Sequence, residues 1–152
     1  MVLHGATVQW EQVRIGEALP ILVKEETQET IDAYGAFRRA VAGRRENWRD
    51  LHSDPEFARQ NIFGTTVNMG TATADYCLQL LEKAFPRAVL LQGGRFTFKA
   101  TAPICAGDTV TITGRVTDKR VEEGRKVVAC ELTATNQRGQ VVYWGQAVLP
   151  FP

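Results

Sequence analysis

The sequence predicts an α+β fold in which one long helix lies against a curved antiparallel sheet. Three observations carry the prediction. An apolar stripe of helical period runs through the middle of the chain, from Val67 to Phe85. After Pro86 the pattern changes to period two, with Phe96, Phe98 and Ala100, then Val110, Ile112 and Val116, then Val128, Cys130, Leu132 and Ala134 alternating with polar or small residues. Turn signals separate these runs at Ala106-Gly107-Asp108, Glu123-Gly124 and Arg138-Gly139. A helix with one apolar stripe and a sheet with one apolar face bury both by packing together.

The elements follow in order. Val8 to Ile15 reads as a lead-in segment anchored by Trp10, and Leu19 to Val23 as a short strand. Thr27 offers an N-cap, after which Ile31, Tyr34 and Phe37 recur at helical spacing until Gly43. Residues 44–53 are polar and aperiodic, hence a loop. Asp54-Pro55-Glu56 is a helix start, with a capping Asp, a proline at the first helical position and an acid in the first turn. Asn61 and Gly64 keep that helix short. The central helix is expected to begin near Thr66 or Asn68, to bury Val67, Gly70, Ala74, Cys77, Leu78, Leu81 and Phe85, and to end at Pro86. Four strands then form an antiparallel meander, the last of which, Gln140 to Leu149, is apolar on both faces. That composition suits a central strand or one covered by a partner.

The 152 residues fit one domain, 1–152, large enough for a single core. A formal net charge of +1 argues against a protein built to track nucleic-acid backbones. Arg44, Arg45 and Arg49 do cluster, either as a solvated loop or as an anion-binding patch. Cys77, Cys105 and Cys130 have no paired spacing, and each sits in an apolar stretch, so they read as packing residues. No apolar run approaches the roughly 20 residues of a membrane helix, and no signal segment opens the chain, so a cytoplasmic protein is expected.

Four segments, in order along the chain, carry a resemblance. Leu51-His52-Ser53-Asp54-Pro55-Glu56-Phe57-Ala58, then Phe63-Gly64 through Gly70, then Ala102-Pro103-Ile104 with Gly107-Asp108-Thr109, then Asn136 to Val142 with Gly145 and Ala147 resemble the MaoC-like dehydratases. This family is also called the R-specific or type 2 enoyl-CoA hydratases. The resemblance implies the hot-dog fold, a sheet wrapped around a central helix. It implies a dimer with sheets joined edge to edge. It further implies an acyl thioester, on coenzyme A or acyl carrier protein, lying at the dimer interface, and reversible addition of water to a 2-enoyl thioester. No separate cofactor is implied.

Hydration of a conjugated thioester needs a base for water, an acid for the α-carbon and donors for the enolate-like oxygen. The resemblance assigns the first two to an Asp and a His in a D-x-N-x-x-H segment. Aligned on His52, that segment places Asn47 at the Asp position and Arg49 at the Asn position, with Asp50 where a proline is usual. The histidine is retained and the carboxylate is not; an amide cannot act as a general base near neutral pH. His52 is therefore the candidate acid or base, or else a structural loop residue. Asp50 and Glu46 are candidate substitutes for the carboxylate, or loop residues neutralising the arginines. Asp54 is expected to cap its helix. Gly70 is expected to offer a backbone N–H in the first helical turn to an anionic oxygen, or merely to let the helix press on the sheet. Met69 and Arg49 complete the candidate binding residues. Asp50-x-His52-x-Asp54 is a poor fit to a metal cage, and no metal is expected.

The leading expectation is an acyl-thioester hydratase or dehydratase, a lyase of fatty acid metabolism. Hot-dog folds also host thioesterases, but hydrolysis would call on Asp75 or Glu82, which lie off the predicted sheet-facing stripe. The third reading is a non-catalytic, ligand-binding subunit of a heteromer whose full-motif homologue supplies the missing groups. A homodimer or higher assembly is the default; no nucleic acid or membrane is expected as a partner.

Overall fold

The computed structural model describes residues 5–43 and 49–152. Two turns of 3₁₀ helix, at Gly5–Thr7 and Trp10–Gln12, lead into strand β1 (Leu22–Glu25) and helix α1 (Gln28–Ala42). Helices α2 (Pro55–Arg59), α3 (Gly70–Ala84) and α4 (Arg87–Leu91) follow, then strands β2 (Arg95–Ala100), β3 (Thr109–Glu122), β4 (Arg125–Asn136) and β5 (Val141–Phe151). Among the described residues no helix is long and apolar enough to cross a membrane.

Local chemistry explains the helix boundaries. The Thr27 side chain accepts from Thr30 N–H while the Thr30 hydroxyl accepts from Thr27 N–H, so both chain ends of the first turn are satisfied. Gly43 ends α1 in the left-handed region at φ 63°, which favours a residue without a Cβ. Asp54 caps α2 by accepting from Phe57 N–H, with Pro55 just inside. The central helix starts at Gly70 rather than at Thr66 or Asn68, because Val67 and Asn68 are held extended: Val67 bridges Cys105, and Asn68 N–H donates to the Ile104 carbonyl. The stripe also shifts. Leu80 and Ala84 are buried, and Leu78 is only half-buried, because the buried face is turned toward the side of the helix that carries Thr73, Cys77, Leu80 and Ala84.

All five strands form one antiparallel sheet, ordered β1-β3-β4-β5-β2. Only β3, β4 and β5 form the expected meander. The 95–100 strand crosses to pair with β5 and becomes an edge, so its alternation marks a strand but not its neighbours. At the β3–β4 hairpin Glu123 and Gly124 both have positive φ, 50° and 76°, the backbone twist a two-residue hairpin demands. Strand β5 is interior, as its composition suggested, and buries Val142, Tyr143, Ala147, Leu149 and Phe151. The short first strand runs 22–25 rather than 19–23; Leu19 is buried ahead of it while Ala18 makes a lone bridge to Arg115.

Cys77, Leu80, Leu81, Ala84 and Phe85 of α3 meet Val110, Ile112, Val128, Leu132 and Leu149 of the sheet in one continuous core. Cys77 and Cys130 are buried there, and burial pushes each thiol up to about 12. They remain neutral packing groups. Cys105 is half-buried and also free. On α1, Ile31 is buried but Phe37 is 65% exposed, so the helical spacing there does not define a face packed on the core.

Candidate active site

The site lies where the loop before α2 meets the start of α3. Asp50 organises that loop. Its Oδ1 accepts from His52 N–H, Ser53 N–H and the Ser53 hydroxyl, each at 2.9 Å. Burial alone would raise the Asp50 carboxyl, but the Ser53 and His52 hydrogen bonds outweigh it and hold the carboxyl below its usual range. Asp50 is thus an ionised turn-former.

The turn presents His52 to the approach of α3. His52 Nδ1 lies 2.7 Å from the Val67 carbonyl. A carbonyl only accepts, so Nδ1 donates, which fixes the tautomer whose lone pair lies on Nε2. Two further ties fix the two segments: Val67 N–H donates to the Leu51 carbonyl at 3.2 Å, and Gln28 Nε2 donates to the His52 carbonyl at 2.9 Å. The Thr66 hydroxyl donates to Gln28 Oε1 at 2.5 Å, so Gln28 at the start of α1 clamps both sides.

Gly70 is the first residue of α3, where helix N–H groups lack intrahelical partners. Among the described residues its N–H has none. Its carbonyl accepts from the Tyr143 hydroxyl, and a Cβ on Gly70 would sit 3.1 Å from that oxygen. The missing Cβ thus permits close approach to the Tyr143 side chain of β5. Burial pushes the Tyr143 phenol up to about 12, so it stays a donor. The ring stacks on Phe98 at 5.4 Å between centroids.

Two cavities flank His52. One, about 370 Å³ and mainly apolar, is walled by His52, Phe63, Gly70, Ala102, Ile104 and Tyr143. The other, about 190 Å³, is walled by Gly35, Arg38, Arg39, Asp50, His52 and Met69. Met69 therefore borders the arginine-lined cavity, not the apolar one. Its backbone N–H is turned inward to Asn68 Oδ1 at 2.7 Å.

The other predicted residues fall elsewhere. Arg49 pairs with Asp54 at 2.5 Å and lies over the Phe57 ring, on the outer side of α2. Asn47, Glu46, Arg44 and Arg45 lie outside the described residues. Asp50, His52 and Asp54 do not converge: Asp50 serves its turn and Asp54 serves α2 and Arg49.

A buried acid behind the site was missed by sequence reasoning. Glu26 is 2% exposed and accepts from the Asn68 amide and, at 2.5 Å, from the Tyr76 hydroxyl. Burial raises its carboxyl, only partly offset by those two hydrogen bonds. Asn68 in turn holds Met69 N–H, so this network braces the start of α3. Its partners lie 42 and 50 residues away, and no spacing signal links them.

A long helix packed against one antiparallel sheet in this topology is a hot-dog fold. A family model described as "MaoC like domain" matches residues 42–138, and the chain belongs to that family, the MaoC-like dehydratases. Solved structures agree on the fold. A monoamine oxidase regulatory protein from Archaeoglobus fulgidus is 22% identical, with TM-score 0.76, over 98% of this chain and 97% of that one. The (R)-hydratase from A. caviae, involved in PHA biosynthesis, is 22% identical with TM-score 0.70, over 93% and 99%. The HadBC complex, a (3R)-hydroxyacyl-ACP dehydratase from Mycobacterium tuberculosis, is 17% identical with TM-score 0.64, over 90% and 96%. Among curated protein sequences none matches.

Proposed function

We propose that this chain binds a 2-enoyl thioester, on coenzyme A or acyl carrier protein, and catalyses its reversible hydration. The observation that carries the reading is His52, whose Nδ1 lies 2.7 Å from the Val67 carbonyl while the residue lines both cavities, one of them shared with Gly70, whose N–H has no partner among the described residues. In the hydration direction Nε2 takes a proton from water as the oxygen adds to the β-carbon. The thioester oxygen gains charge and is met by the Gly70 N–H, aided by the positive end of α3. The imidazolium can then return its proton to the α-carbon. The apolar cavity suits the acyl chain. With Asn47 in place of a carboxylate, His52 carries both proton transfers, and slow turnover is expected. Crotonyl-CoA hydration followed by loss of enoyl absorbance tests this; no turnover together with no calorimetric binding of any acyl-CoA would refute it.

A second reading is favoured by one specific observation, Asn47 itself. In it the chain is the binding subunit of a heteromer whose partner supplies the Asp. The structural neighbours include the ChsH1-ChsH2 and HadBC complexes from Mycobacterium tuberculosis. A thioesterase is less well supported, because Asp75 accepts from the Tyr34 hydroxyl at 2.8 Å and Glu82 pairs with Arg87 at 3.4 Å. Assembly as a dimer through strand β2 fits either reading, since β2 is a sheet edge that carries Phe98, 42% exposed, beside Trp144 of β5, 40% exposed.

A further inference from the structure

Fatty acyl thioesters would use the apolar cavity; the smaller cavity on the other side of His52 has a different chemistry. Arg38 and Arg39, on the C-terminal half of α1, both line it. The negative group facing them among the described residues is Asp50, whose Oδ1 is already taken by three donors. Among the described residues two guanidiniums face one carboxylate there, an excess of positive charge. Arg38 is steadied from outside by a neutral partner, donating through Nη1 to the Thr71 hydroxyl at 3.0 Å. Among the described residues neither guanidinium makes an ion pair.

Gly35 supplies a second, independent sign that the arrangement is built. It is buried in the interior of α1, where glycine costs about 1 kcal/mol relative to alanine. A Cβ there would meet Arg39 Nη1 at 3.2 Å and Met69 Cε at 3.5 Å. The missing side chain lets the Arg39 guanidinium fold back along its own helix and face the Met69–His52 wall.

We propose that this cavity receives an oxyanion, a carboxylate or a phosphate, belonging to the thioester ligand, held by Arg38 and Arg39 beside His52. The inference rests on the thioester reading above and adds a substrate preference to it. Guanidinium groups suit both anions, through charge-assisted and bidentate hydrogen bonds. His52 borders both cavities, so an anion in one and reacting carbons near the imidazole are separated by only a few bonds. That geometry is met most directly by an acyl group that itself ends in a carboxylate.

The test measures binding by calorimetry with four probes: valeryl-CoA, glutaryl-CoA and the two corresponding acyl-pantetheines, which lack phosphate. Valeryl and glutaryl differ by a terminal methyl against a carboxylate. If the anion is the acyl carboxylate, wild type prefers both glutaryl probes, and Arg39→Met weakens those two by about 10- to 100-fold, the loss of one or two charged hydrogen bonds. If it is a phosphate, Arg39→Met weakens both CoA thioesters alike and neither pantetheine. Gly35→Ala, which keeps both charges but displaces the guanidinium, should give a smaller loss in the same pattern. It also guards against misfolding of the first variant. Binding of all four probes unchanged by both substitutions overturns the inference and leaves the thioester reading intact. Failure of wild type to bind any of the four probes also overturns the inference, whereas the thioester reading falls only if crotonyl-CoA is in addition neither bound nor turned over.

Discussion

Replacing Asp50 by asparagine separates two roles that the sequence leaves open, substitute general base and turn-former. The structure supports the second. One oxygen, Oδ1, accepts from His52 N–H, Ser53 N–H and the Ser53 hydroxyl, all at 2.9 Å. Asparagine keeps a carbonyl oxygen at that place and loses the charge. Hydrogen bonds to a charged group contribute about 1.5–3 kcal/mol, and neutral ones about 0.5–1.5 kcal/mol. Three bonds sharing one acceptor are not additive, so the net loss is set at about 1–2 kcal/mol. For a chain of this size that lowers Tm by about 2–8 °C. The Asp50 carboxyl is held below its usual range, so its contribution is present above the unfolded value of about 3.9 and is lost as pH falls through the folded one. The wild-type advantage over Asp50→Asn should therefore close in acid. Thermal melts at a series of pH values read this directly. Turnover of crotonyl-CoA should change less than about 10-fold, against the 100- to 10,000-fold expected of a lost general base. A variant with unchanged Tm and activity reduced by more than 100-fold would show the assignment to be wrong.

Three further outcomes are expected. His52→Ala should lower any thioester hydration by about 100-fold or more, and Asn47→Asp should raise it, both read from initial rates; wild-type activity that is indifferent to His52→Ala would move the site elsewhere. Glu26 has its carboxyl raised in the fold, mainly by burial. Between the unfolded value of about 4.3 and the higher folded one, the native state binds the extra proton, so this contribution is full at low pH and declines as pH rises. Urea midpoints of wild type should thus fall relative to Glu26→Gln across that window, and parallel profiles would count against it. Sedimentation at micromolar concentration should give the mass of at least a dimer, with Phe98→Lys on the edge strand shifting it toward one chain; a single-chain mass for wild type would remove the edge-pairing proposal.

Much of this protein is written in short-range chemistry, which a sequence carries openly. Thr27, Gly43, Asp54-Pro55 and Glu123-Gly124 act through hydrogen bonds and backbone preferences spanning at most a few residues, and they set element boundaries wherever the rest of the chain goes. The apolar periodicities likewise announce a helix on a sheet. The four ordered motifs, read together, identify the MaoC-like family. What the sequence could not carry is pairing across distance. Strand β2 alternates like its successors, yet it pairs with β5 rather than β3, because alternation encodes a face and not a neighbour. The same holds in the site. Asp50 holds three donors of its own turn and Arg49 pairs with Asp54, contacts that the motif spacing does not specify. Glu26, Gln28, Arg38 and Arg39 gain their meaning only when the chain brings them to Asn68, His52 and the cavity beside it. Those contacts join segments that local propensities leave independent, and tertiary packing alone decides which of them meet.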